Sequence, residues 1–186
     1  MKKLLSVALC STLFLTAGVS IGAEKAPQKV IDLAKSELVR LGDDAIIIKA
    51  VKEENAKGKT LAQIKEHDAE WTSTPGIADY MKALVESECG RHLRDLQNTT
   101  AYYSEIFVMD NQGANVCMTD KTSDYWQGDE AKFKQSFNGG AGAVFVDEVK
   151  FDESTQAYLV QVSVPVQDGG KAIGAITFGI DVDKIQ

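Results

Sequence analysis

Residues 119–137, TDKTSDYWQGDEAKFKQSF, lie between two segments that read as sheet. The stretch holds an aromatic pair, Tyr125-Trp126, with Lys121, Thr122, Ser123, Asp124 and Gln127 around it. Gly128-Asp129 then precedes an Ala/Lys/Phe run that reads as a short helix over 129–137. Two large rings and several hydrogen-bonding groups on a loop beside a sheet suit one wall of a small-ligand pocket. They equally suit a plug over the sheet's open face, where most such aromatics belong to the core. Residue types alone leave both open.

Working outward, Ser104–Asp110 (SEIFVMD) is a buried-strand candidate. Asp110-Asn111-Gln112-Gly113 is a hairpin turn, and 114–119 is the return strand. Beyond the stretch, Asn138-Gly139-Gly140 stops the helix. Three strands follow over 144–151, 158–166 and 172–182, with Val160, Val162 and Val164 alternating against Gln161 and Ser163. If the face of Gln161 and Ser163 is the pocket face, both offer hydrogen bonds to a ligand. Upstream, Val30, Leu33, Ala34, Leu38 and Leu41 recur at helical spacing, so 26–56 reads as a long helix that Gly42-Asp43-Asp44 kinks or breaks. Thr60-x-x-Gln63 has the form of a capping box. Thr74-Pro75-Gly76 is a breaker, and a further helix spans 76–96. Helices segregated before an antiparallel sheet predict an α+β domain, long N-terminal helices on five antiparallel strands. Residues 24–186 read as one domain.

Residues 1–23 differ from the rest. Lys2 and Lys3 precede the apolar run 4–19, and Ser20, Gly22 and Ala23 are small residues near a cleavage point. This pattern is that of a secretory signal peptide, and the run is short for a bilayer span. The net charge is −7 for the full sequence and −9 without that segment, which carries two lysines and no acid. An acidic chain without a Lys/Arg cluster argues against nucleic acid as a partner. Export, here into a periplasm, makes Cys89 and Cys117 a candidate disulfide, with two free buried thiols as the alternative.

The segments EIFVMDNQG, KTSDYWQGDEAKF, FVDEVKFDESTQ and VSVPVQDGGKAIGAITFGI resemble those of stand-alone periplasmic Cache (PAS-like, PDC) sensor domains, over about 26–186. The resemblance implies a PAS-like sheet with a ligand pocket beneath the loop and helix that cover it. It implies a small-molecule ligand such as an amino acid, amine or carboxylate, and a membrane sensor protein as partner. Amino-acid-sensing members carry an Arg two residues before a Trp-Tyr pair, then Tyr-x-Asp on a later strand. Tyr125-Trp126 stands at the pair, and Phe145-Val146-Asp147 is similar to the Tyr-x-Asp. Ser123 stands where the Arg is expected, which removes a bidentate carboxylate partner; Lys121 would substitute as a point charge. Asp147 would hold an amine. The implied ligand-binding set is therefore Lys121, Ser123, Tyr125, Trp126, Phe145, Asp147, Gln161 and Ser163.

Catalysis finds no support in the motifs. His67 and His92 stand apart from any Cys, Asp or Glu at metal-ligand spacing. There is no G-x-S-x-G, P-loop or C-x-x-C, and no cofactor motif. A binding module is the leading expectation. The alternative is an interaction protein whose acidic N-terminal helix forms a homodimer or docks on a membrane sensor.

Overall fold

The computed structural model describes residues 24–153 and 155–185. The signal-peptide expectation falls on residues outside them. Helix α1 (Gln28–Leu33) passes through a π-helical turn (Ala34–Leu38) into α2 (Val39–Leu41). The chain breaks at Gly42-Asp43-Asp44, the break that the sequence allows for. Asp44 caps the next helix, its Oδ1 accepting from the backbone N–H of Ile46 (2.9 Å) and Ile47 (3.1 Å). That helix is α3 (Ala45–Ala56). The Thr60/Gln63 capping box opens α4 (Leu61–Ser73), which is longer than the short helix expected there.

The single helix expected over 76–96 is two, α5 (Asp79–Val85) and α6 (Glu88–Gln97). Ser87 is the reason. Its hydroxyl donates to Leu84 O at 2.9 Å and accepts from Gly90 N–H at 2.9 Å, so it closes one helix and caps the next.

Five antiparallel strands follow: β1 (Tyr103–Met109), β2 (Asn115–Met118), β3 (Phe145–Asp152), β4 (Ala157–Asp168) and β5 (Lys171–Asp181). Their order is β2-β1-β5-β4-β3. Gly113, at φ +86°, makes the β1–β2 turn, where a Cβ would be strained. Helix α7 (Ala131–Phe137) lies between β2 and β3 in the chain and ends on Asn138 in the left-handed region (φ 48°). The fold is α+β and PAS-like.

Strand alternation divides the sheet into two faces. Ile106, Val108, Val160, Val162, Val164, Val166, Ile176, Phe178 and Ile180 form one face. They pack with Val30, Leu33, Ala34, Leu38, Ile47 and Val51 of the N-terminal helices, and with Leu93. The apolar side of those helices is thus directed at this sheet, leaving their polar side outward. The other face carries Phe107, Met109, Met118 and Ala175, covered by Ile64, Trp71, Met81, Tyr125 and Phe133. Cys89 and Cys117 are bonded, tying α6 to β2.

Candidate functional site

On the second face the residues of β1, β5 and β4 align in rows. Glu105, Gly179 and Gln161 form one row; Phe107, Thr177 and Ser163 form the next. Above the Glu105 row lies a cleft of about 440 Å³, lined by Glu105, Phe107, Lys121, Thr122, Ser123, Gln127, Lys132 and Gln161 among others. A second space of about 400 Å³ shares Ser123, Lys132, Asp152 and Gln161 with it and runs out to Asp147, Glu148 and Lys150 on β3. The two form one groove between the 119–137 segment and the β3–β4 side of the sheet.

The loop forming its roof is pinned from α4. One oxygen of Asp68 accepts from the backbone N–H of both Tyr125 (2.8 Å) and Trp126 (3.0 Å). The Trp71 indole N–H donates to Thr122 O at 2.8 Å, and Lys121 Nζ donates to Thr74 O at 2.7 Å. Inside the loop, Asp124 O accepts from the Thr122 hydroxyl (2.7 Å), Gln127 Nε2 (2.8 Å) and Asn115 Nδ2 (3.2 Å). Those bonds fix the orientation of both amides. They leave the buried Asn115 Oδ1 and Gln127 Oε1 without a hydrogen-bond partner. Gln127 is 1% exposed.

On the floor, Glu105 accepts from Gln161 Nε2 at 3.2 Å. Burial pushes its carboxyl above the usual carboxylate range, against the pull of Lys132. Lys132 reaches in from α7, its ammonium 3.0 Å from Glu130 Oε2 and 5.3 Å from the Phe107 ring centroid. The floor therefore offers acceptors and donors side by side, walled by one aromatic ring.

The expected site residues separate. Lys121, Ser123 and Gln161 line the cleft, and Asp147 lines its outer part, where Lys150 neutralises it at 2.7 Å. Ser163 shares the face of Gln161 but is fully buried, its hydroxyl 2.7 Å from that of Thr177. Phe145 stands opposite Ser163 on the edge strand, outside the residues lining the groove.

Tyr125 and Trp126 are not a wall of this cleft. With both backbone N–H groups captured by Asp68, Tyr125 turns toward the helices. It is 2% exposed, edge-on to His67 and beside Trp71, and its hydroxyl accepts from Lys59 Nζ at 2.9 Å. Burial raises its phenol above the ordinary value. Lys59 also pairs with Glu54, whose carboxyl is pushed up by burial but held low overall by Lys57 and Lys59. The Trp126 indole N–H donates to Gln112 O at 2.8 Å and the ring lies under Lys65. Tyr125 is thus packed into the core, whereas Trp126 stays half-buried and lines a separate space with Lys65, Asp68 and Asp124.

Sequence reading missed Glu105, Lys132 and the roles of Gln127 and Asp68. Alternation along SEIFVMD puts Glu105 on the side of Phe107, so its face was readable. Its neighbour Gln161 follows only from register. Among the described residues no group of three or more His, Cys, Asp or Glu could hold a metal ion, and no helix is long and apolar enough to cross a membrane.

No family model and no curated protein matches the chain. Among the solved structures that it resembles are sensor domains. The ligand-binding domain of the Campylobacter jejuni chemoreceptor Tlp3 with 4-methylisoleucine is 12% identical, covering 86% of this chain and 61% of that one, at TM-score 0.44. The ligand-binding domain of the Pseudomonas aeruginosa PAO1 amino acid chemoreceptor PctC with GABA is 12% identical, covering 80% and 60%, at 0.43. The V. cholerae histidine kinase DctB sensor domain is 11% identical, covering 85% and 58%, at 0.36. The chain spans less than two thirds of each. These are likenesses of outline.

Proposed function

We propose that the chain is an exported, periplasmic sensor domain of the Cache type that binds a small polar metabolite in the groove between the sheet and the 119–137 segment. It acts by binding rather than by catalysis, and passes occupancy to a membrane sensor protein. One observation carries this reading: a cleft of about 440 Å³ on the sheet's second face is lined by Gln127, an amide 1% exposed whose Oε1 lacks a donor. Buried polar groups normally have partners, so an unpaired acceptor enclosed beside the cleft suits a site whose hydrogen bonding is completed when a ligand binds.

A competing groove of about 290 Å³ runs between α3 and the α5–α6 pair. Of its charged side chains, Lys49 pairs with Glu88 and Lys57 with Glu54. None of its lining side chains has a buried atom without a partner among the described residues.

A thermal-shift screen of amino acids, amines, carboxylates and other small metabolites tests the proposal, since a ligand at 100 times its Kd stabilises by about 2.7 kcal/mol. Hits are expected, and they should weaken in Gln127→Leu. A complete lack of stabilisation at millimolar ligand would sink the reading.

A further inference from the structure

The groove's lysines each have an acceptor within the protein. Lys132 is 3.0 Å from Glu130, Lys150 is 2.7 Å from Asp147, and Lys121 donates to Thr74 O at 2.7 Å. The floor carboxylate is different. Among the described residues no cationic nitrogen lies within 4.0 Å of Glu105, and its side-chain bond is to an uncharged amide. Even a half-buried carboxylate without a cation is costly unless something else supplies the charge.

Glu105 is also given room to lie flat across the sheet. Its row neighbour on β5 is Gly179, where a Cβ would stand 2.6 Å from Glu105 Cγ and 3.2 Å from Oε1. Gln161, on the far side of Gly179, donates to the same carboxylate. Gln127, which also lines the cleft, holds an enclosed, uncharged Oε1 that lacks a donor. An anion entering here meets a carboxylate and lysines that already have partners. An ammonium group brings three donors and a positive charge, which match a carboxylate.

We propose that the floor of the groove is an ammonium site, in which Glu105, seated over Gly179 by Gln161, holds a protonated primary amine of the ligand. This rests on the reading of the groove as the ligand site. It moves the amine away from Asp147, which Lys150 already neutralises.

Four compounds of one chain length provide the test: 1,4-diaminobutane, 4-amino-1-butanol, 1,4-butanediol and succinate, titrated into the protein by calorimetry and thermal shift. The two amines should bind, and the diol and succinate should not. Glu105→Gln should weaken the amines at least tenfold. Gly179→Ala keeps the charge but displaces the carboxylate, and should weaken them similarly; it serves as the second route if Glu105→Gln folds poorly. Asp147→Asn should weaken the amines far less than Glu105→Gln does. Preferential binding of succinate, or undiminished amine binding by both Glu105→Gln and Gly179→Ala, overturns the ammonium site and leaves the groove as a ligand site. The same holds if the wider metabolite screen returns only ligands without an amine. An amine found only in that screen supports the site if both variants weaken it, and overturns it if neither does. No hit in either set removes both readings together.

Discussion

Glu105, the residue proposed to hold an amine, departs from what stability alone would select. Burial raises its carboxyl above the ordinary 4.5, aided by Asp152 and Asp120 and opposed by Lys132 and the Gln161 amide. A carboxyl whose folded-state pKa is raised binds its proton more tightly when folded. Its contribution to stability is therefore greatest at low pH and is lost as pH rises from 4.5 through the folded value. Glu105→Gln should remove that decline, so the ligand-free variant should be at least as stable as the parent at pH 7. Chemical denaturation of both proteins from pH 4 to 8 measures this; a variant whose loss of stability with rising pH matches the parent's contradicts it. The face of Glu105 was legible from alternation in SEIFVMD. Gln127 stood in plain view within 119–137, yet nothing in its residue type says that one end of the amide is bonded and the other open. That depends on three donors meeting at Asp124 O, a tertiary fact.

At the scale of elements, two connections hold the groove's roof and side in place. The first is Asp68, which takes two backbone N–H groups of the loop on one oxygen. Bonds to a charged acceptor contribute about 1.5–3 kcal/mol each net of exchange with water, and less at a half-buried acceptor such as Asp68, whose donors water can reach when it is lost. Asp68→Ala is expected to cost about 2 kcal/mol and to speed amide exchange at Tyr125 and Trp126 more than in the β1–β5 strands. Denaturant titration and hydrogen exchange read the two effects; a uniform rise in exchange would show that the loop is not separately pinned. The second is the Cys89–Cys117 bond, with a sequence separation of 28 residues. Closing a loop of that length stabilises by about 3–4 kcal/mol in the chain-entropy account. Cys89→Ser/Cys117→Ser should lower the denaturation midpoint accordingly, and reductant should do so in the parent but not in the variant. The capping box at Thr60 and the breaks at Gly42 and Pro75 were legible because caps and breakers act locally. The break at Ser87 was not, since an apolar face running from Ile77 to Leu96 reads as continuous until the hydroxyl's bonds to Leu84 and Gly90 are seen. The aromatic pair misled for a related reason. The sequence shows two rings on a loop, while the Asp68 clamp that turns Tyr125 toward α4 lies 57 residues away.

For the whole molecule, the order of helices, hairpin, short helix and three strands was enough for the α+β class, because each element carries its own periodicity. Which sheet face meets which helices was not, because it depends on register among β1, β5 and β4. That register produces two different cores. The face toward α1–α3 is aliphatic and continuous, whereas the face toward the groove mixes Phe107, Thr177 and Ser163 with the polar row of Glu105 and Gln161. Stability should therefore reside mainly on the N-terminal side and binding on the other. Val30, Leu33, Ala34, Leu38, Ile47 and Val51 are all 8% exposed or less, and Glu24 O accepts from Val149 N–H at 2.8 Å, fastening the start of the described chain to the edge strand. A chain beginning at Lys59 would expose the valine row of β4 and the isoleucines of β1 and β5 to water, at about 25 cal/mol per Å² of apolar surface uncovered. It is expected to lose cooperative unfolding and to bind hydrophobic dyes. Gln161→Ala, on the opposite face, should instead keep a cooperative transition with a Tm near that of the parent. Calorimetry on the two proteins separates the cases, and a cooperative transition in the shortened chain would show that the groove side folds without its helical backing.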